Sequence, residues 1–292
     1  MWWNKKKQRD ILLSHELGRL DKGLAPGRKK NKISWNFRCI LCLVPSISGS
    51  LLFFFWPYLQ VLYYSVISDQ FHKRPVGLKN YIDTLENPYF RLAFWNSLKL
   101  IGFGVPVLMS LSIVIAILLV YHLEKKKVVR DAFIFPMLIP TASIVLVWQE
   151  LFSFSVSALP VYLLFVWKNI GICVVLLTAA LTTIENSIYE AARLDGAAGV
   201  MLYRKITIPI IMPALFFTSL LAIVNTFKIF KESYLYYGNK YPPDHSYTLQ
   251  YFMNNNFLKF DYQALATGSI LTSLLVLVIV VAGLQLQRRF QS

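Results

Sequence analysis

The chain has 292 residues, of which 56% are hydrophobic and only 15% charged, and its mean hydropathy is +0.50. Lys and Arg number 30 against 15 Asp and Glu, a net charge of +15. A soluble domain carries about 25% charged residues, so these values exclude a soluble enzyme, a disordered chain and a small disulfide scaffold, and leave a polytopic membrane protein whose surplus cations need explaining.

Residues 1–38 are basic and polar, with no apolar core of a cleavable signal peptide. Leu13, Leu17 and Leu20 stand at helical spacing among Lys5, Lys6, Lys7, Arg9 and Arg19. Two readings stay open for this segment: a helix lying on anionic lipid, or a solvated basic tail. Beyond it, stretches free of Asp, Glu, Lys and Arg cover 39–68, 100–121, 132–149, 206–227 and 264–287. A further stretch, 151–184, is interrupted only by Lys168 and predicts a helix near 158–183. A helix needs about 20 apolar residues to cross the hydrocarbon. The expectation is therefore an all-α fold with six transmembrane helices within 39–287, and a short tail over 288–292.

With the N-terminus inside, the inner segments 1–38, 122–131, 184–205 and 288–292 hold 20 of the 30 cations. The outer segments 69–99 and 228–263 hold 9, and Lys168 lies within the fourth span. This bias predicts cytoplasmic termini and a cell-membrane location. It explains the charge through topology, with no nucleic-acid partner.

Catalytic and metal chemistry find little support. Cys39-x-x-Cys42 opens an apolar helix without a βαβ context, and reads as small buried side chains. His15, His72, His122 and His245 fall in four separate segments with no ligand partner at helical spacing, so no metal is expected. No G-x-x-x-x-G-K-[ST] loop is present, which excludes ATP hydrolysis by a P-loop on this chain. The expectation is a non-enzyme.

The inner segment 184–208 differs from the other connections. Ser187-x-x-Glu190 reads as a capping box. Ala191, Ala192, Arg193 and Leu194 propagate a helix, and Gly196 suits a left-handed C′ position. A second helical turn or two is expected over 197–205, with Pro209 near the start of the fifth span.

Glu190-Ala191-Ala192, Gly196, Ile206 and Ile208-Pro209, at these spacings, resemble the EAA loop of binding-protein-dependent ABC importer permeases. The likeness to the maltose-permease-type carbohydrate branch runs from about residue 40 to 286. It includes Phe55-Trp56-Pro57-Tyr58, Gly77-Leu78-Lys79-Asn80-Tyr81, Asn87-Pro88-Tyr89-Phe90, Asn96-Ser97-Leu98, Phe135-Pro136, Trp148 and Trp167-Lys168-Asn169-Ile170-Gly171. Three places depart from the family pattern: Glu185 where a proline is usual, a short outer connection over 149–158, and Tyr236–Pro243 in place of a Gly-rich turn.

The resemblance implies a permease subunit for a sugar or oligosaccharide in a bacterial inner membrane. It implies a second homologous permease subunit, two cytoplasmic ATPase subunits carrying ATP and Mg, and an extracytoplasmic solute-binding protein. It implies ATPase coupling through Glu190, Ala191, Ala192, Arg193, Asp195, Gly196, Arg204, Ile206 and Pro209. A non-sugar solute such as a glycerophosphodiester is the alternative within the family. A self-sufficient secondary transporter with Lys168 as its ion-coupling site is the alternative outside it.

Polar residues at membrane depth are costly and mark candidate pathways. Trp167, Lys168, Asn169, Asn225, Phe227 and Lys228 combine hydrogen-bonding groups with aromatic rings, as sugar recognition requires. Two readings stay open for Lys228 and Lys231: cavity lining, or snorkelling to headgroups with an i,i+4 pair from Lys228 to Glu232.

Overall fold

The computed structural model describes residues 43–69, 71–121, 132–133, 135–152, 157–238 and 242–291. The basic N-terminal segment, Cys39 and Cys42, the inner segment 122–131 and residues 153–156 of the short connection after Trp148 lie outside the described residues. The chain divides into two compact units, one ending at Tyr58 and one starting at Leu59.

In the first unit, residues 43–50 are α-helical, Leu51–Phe55 is a π-helical stretch, and helix α1 (Trp56–Ser65) begins. Phe53, Phe54, Phe55 and Trp56 are all exposed, a surface suited to lipid rather than water.

The second unit is a bundle of helices. After α1 come α2 (Lys79–Glu86), α3 (Pro88–Lys99), α4 (Val105–Tyr121) and α5 (Thr141–Phe152). Then follow α6 (Leu159–Leu181), α7 (Asn186–Leu194), α8 (Met212–Lys228), α9 (Phe230–Tyr237), α10 (Leu249–Leu258) and α11 (Tyr262–Gln291). Four helical runs among the described residues are long and apolar enough to cross a membrane: Pro88–Tyr121, Leu159–Leu181, Met212–Tyr237 and Tyr262–Arg289. Helix α5 is a shorter apolar helix. The helix expected from residue 100 begins a full element earlier, at Pro88, because α3, a π stretch (Leu100–Gly104) and α4 run on continuously. The fifth expected span starts at Met212 rather than 206 and continues to Tyr237.

Proline accounts for the π-helical stretches. In a regular α-helix the proline ring collides with the carbonyl four residues back. For Pro57, Pro106 and Pro209 that carbonyl belongs to Phe53, Gly102 and Lys205. Each lies inside a five-residue π stretch that ends two residues before the proline: Leu51–Phe55, Leu100–Gly104 and Tyr203–Thr207. The wider turn moves the carbonyl aside, and the N–H groups of Trp56 and Ile208 reach five residues back, to Leu51 and Tyr203.

Helix α6 packs along α4 and against α8. Leu108, Leu164, Phe165, Val174 and Ala222, all fully buried, form the centre of that contact. The cross-over before α2 is pinned by the residues of its motif. Gly77 takes φ +60°, a conformation that glycine adopts without strain. The Asn80 amide donates to the Ser65 and Ile67 carbonyls at 3.0 and 2.9 Å, and the Tyr81 hydroxyl meets Ser65 at 2.8 Å. Asn87 caps α3, accepting from the Tyr89 N–H at 2.9 Å, with Pro88 in the first turn. Asn96 donates to the Tyr247 carbonyl at 3.0 Å, and Ser97 accepts from the Leu249 N–H at 3.0 Å, which ties α3 to the start of α10. Asp69 closes the turn ahead of α2 by accepting from the Phe71 and His72 N–H groups at 2.8 and 2.6 Å. The His72 N–H is the main reason that its carboxyl pKa is lowered to about 2.

Candidate functional site

Two polar regions stand out in the second unit. The first is the connection from α6 to α8. Helix α7 starts at Asn186, with Glu185 as its extended N-cap residue and no side-chain cap. The expected capping box does not form: Ser187 already lies inside the helix, and its hydroxyl bonds the Glu185 carboxylate at 3.2 Å. The other end is as expected. Gly196 takes φ +83°, and the Ala197 and Gly196 N–H groups donate to the Ala192 and Arg193 carbonyls at 2.9 and 3.0 Å. This is a Schellman closure. Gly199 adds a second bend, at φ +55° and ψ −133°, so the next helical turn begins at Val200 rather than at 197. Pro209 lies in a single turn (Ile208–Ile210) that Ile211 separates from α8, and Pro213 occupies the first turn of α8.

Helix α7 presents two different faces. Tyr189 and Ala192 are buried against Leu177, Leu181 and Leu202. The Tyr189 hydroxyl bonds the Tyr121 hydroxyl at 2.7 Å and the fully buried Thr207 hydroxyl at 3.0 Å. It thereby joins the end of α4, helix α7 and the π stretch ahead of α8. On the other face, Ile188 and Leu194 are exposed, as are Val200 and Met201. Ala191 is exposed beside them. Leu194, at 89% exposure, has essentially no cover. Glu190, Arg193, Asp195, Gly196, Arg204 and Pro209 are exposed, and Ile206 is half-buried.

The second region is a cavity of about 340 Å³ walled by residues of α6, α8 and α9 with Met137. Lys168 lies near the middle of α6 and forms an ion pair with Glu232 of α9. Its ammonium also donates to the Thr141 hydroxyl at 2.9 Å. Next to this pair, Asn225 donates to the Asn169 side-chain oxygen at 2.9 Å, and Asn169 donates to the Phe165 carbonyl at 2.7 Å. Four of the six pathway residues named from the sequence, Lys168, Asn169, Asn225 and Lys228, meet here. Trp167 and Phe227 do not. Successive helical residues turn by about 100°, so Trp167 faces Trp148, at 5.3 Å between ring centroids, and Phe227 packs against the buried cluster that includes Phe90, Tyr251 and Phe252. Of the two readings left open for Lys228, the structure favours cavity lining: Lys228 is part of the cavity wall, while Glu232, 4% exposed, pairs with Lys168. Glu232 and Thr141 are the members of the site that spacing did not reveal.

A helical chain with runs long and apolar enough to cross a membrane, and a cavity walled by Lys168, Asn169, Asn225 and Glu232, fits a transport component. Residues 101–292 match the family of binding-protein-dependent transport system inner membrane components, and the chain belongs to that family. It is a permease subunit of an ABC importer and not an enzyme.

The chain is 26% identical over 272 residues to the arabinooligosaccharides transport system permease protein AraP of Bacillus subtilis (strain 168), covering 84% of this chain and 85% of that one. It is 25% identical over 233 residues to the sn-glycerol-3-phosphate transport system permease protein UgpA of Yersinia pseudotuberculosis serotype I (strain IP32953), covering 70% and 77%. In fold it is similar to a chain of a bacterial ABC transporter involved in the import of the acidic polysaccharide alginate, at a TM-score of 0.71 and 20% identity, covering 89% of this chain and 98% of that one.

Proposed function

We propose that this permease carries a sugar or oligosaccharide, delivered by an extracytoplasmic binding protein, through the cavity bounded by Lys168, Asn169, Asn225 and Glu232. The observation that carries this reading is the density of hydrogen-bonding groups at membrane depth, where each polar group is expensive unless function retains it. The carbohydrate assignment draws on AraP and on the alginate transporter, which has been crystallised with an alginate pentasaccharide-bound periplasmic protein.

The transmembrane unit in this reading has six spans, with both termini in the cytoplasm. The connection from α7 to Pro209 is the EAA loop. The uncovered apolar row Ile188, Ala191 and Leu194, with Glu190 and Arg193 beside it, fits a groove on an ATPase subunit. The importer comprises a second homologous permease, two ATPase subunits that bind ATP and Mg, and the binding protein. ATP-driven closure of the ATPases displaces α7. The Tyr189 hydroxyl contacts pass the displacement to α4 and α8, which changes the access of the cavity. Such a change is driven by the differing affinities of the two states for ATP and solute.

The test is reconstitution of the complete importer in proteoliposomes. Uptake of labelled oligosaccharide is expected only with both ATP and binding protein. Uptake by this chain alone, without ATP, would instead identify a secondary transporter.

A further inference from the structure

The relatives span neutral and acidic solutes, so membership of the family does not decide which this chain takes. The cavity holds a specific feature that bears on the choice. Glu232 is 4% exposed, and one of its carboxylate oxygens is occupied by Lys168, with Thr141 at 3.4 Å. The other, Oε2, is buried with no hydrogen-bond partner among the described residues. A buried carboxylate oxygen left unpaired is costly, and native structures rarely tolerate one without a reason. Glu232 is also part of the cavity wall.

We propose that Glu232 determines solute specificity: Oε2 accepts hydrogen bonds from the hydroxyls of a neutral oligosaccharide, and the site disfavours an acidic one. This rests on the carbohydrate reading above. A hydroxyl supplies the donor that Oε2 lacks, and its own oxygen can accept from the Lys168 ammonium or the Asn225 amide close by. A carboxylate or phosphate supplies no donor. It would meet Glu232 at short range while the matching cation, Lys168, is already neutralised by that same residue. Lys228 also lines the cavity, but it stands one helical turn before Glu232, so an anion drawn to its ammonium still lies beside that carboxylate.

The test is equilibrium binding of labelled arabinotriose and trimannuronate to the purified transporter, trapped with ATP and vanadate and free of binding protein. This separates the permease's selectivity from that of the binding protein. Wild type is expected to bind arabinotriose in preference to trimannuronate. Glu232→Leu should weaken arabinotriose binding by about 10- to 100-fold, the worth of a hydrogen bond to a charged group. Because that variant strands Lys168, the double variant Lys168→Met/Glu232→Leu is measured beside it, and should remain weakened. Restoration of wild-type affinity in the double variant would overturn the inference, since Glu232 would then serve only to neutralise Lys168. Preference for trimannuronate would overturn it too and leave the carbohydrate reading standing. Binding of glycerophosphocholine with neither glycan would overturn the carbohydrate reading itself.

Discussion

Among the described residues, the Tyr189 hydroxyl hydrogen-bonds helix α7 both to the end of α4 and to the π stretch before α8, so its removal tests the coupling route directly. Tyr189→Phe keeps the ring, which meets Tyr121 edge-on at 5.5 Å, and so leaves the apolar packing in place. It deletes the 2.7 Å bond to Tyr121 and the 3.0 Å bond to Thr207. Tyr121 is half-buried and regains water, whereas Thr207 is fully buried and does not. The loss is therefore dominated by one stranded hydroxyl, about 1–3 kcal/mol. Thr207→Val removes the other partner, and in the double variant no polar group is stranded. The double variant should then cost less than the sum of the two singles by about 1 kcal/mol or more. The assays are thermal unfolding of the purified importer, which reads the energy, and solute uptake per ATP hydrolysed, which reads the coupling. Single variants should melt lower and waste ATP. Additive effects, or a Tyr189→Phe importer indistinguishable from wild type in both assays, would refute this role for the hydroxyl.

Leu194→Asp and Glu190→Lys should abolish co-purification of the ATPase subunits while membrane insertion stays normal, as judged by pull-down against membrane-fraction blots. Gly196→Ala should destabilise the bend by about 1–2 kcal/mol, the left-handed penalty of an L-residue, because a Cβ there meets nothing within 4 Å; a thermal shift no larger than a surface control would contradict it. Lys168→Met should destabilise the importer by about 3–5 kcal/mol by leaving Glu232 buried and unpaired, and Lys168→Met/Glu232→Leu should recover most of that in the same melting assay. The Asp69 turn should be insensitive to pH above about 4. Because its carboxyl pKa is lowered to about 2 in the folded chain, protonation removes that stabilisation as the pH falls from about 4 toward 2. The protection of the Phe71 and His72 amides, relative to their intrinsic exchange rates, should fall over that interval and not between pH 7 and 5.

What could be read from the sequence follows from the range of the interactions involved. Gly77, Asn80, Asn87 and Gly196 act within a turn or cap of their own segment, and their residue types announce that use. The capping-box pattern fails because Ser187 already lies inside the helix, with Glu185 as the extended residue that opens it. The bend at Gly199 is not legible in the sequence, because a second reversal so soon after Gly196 has no signature beyond the glycine itself. Local spacing offered Lys228 as one partner for Glu232, but burial favours the pairing in which two charges at membrane depth neutralise each other, and Lys168 is 64 residues away. Trp167 and Lys168, adjacent in sequence, face different neighbours because of helical phase, so composition around a polar residue did not identify its cavity.

The central claim is that the cavity beside Lys168 and Glu232 opens to opposite sides of the membrane in turn. The most direct measurement is labelling of a single cysteine at Leu221, on the cavity wall, in a chain with Cys39, Cys42 and Cys173 replaced by serine. A membrane-impermeant thiol reagent is applied from outside to the reconstituted importer. Labelling should be slow at rest, rise when the ATPases are trapped with ATP and vanadate, and fall again when the transported oligosaccharide is added. Equal labelling in the resting and trapped states would contradict the account.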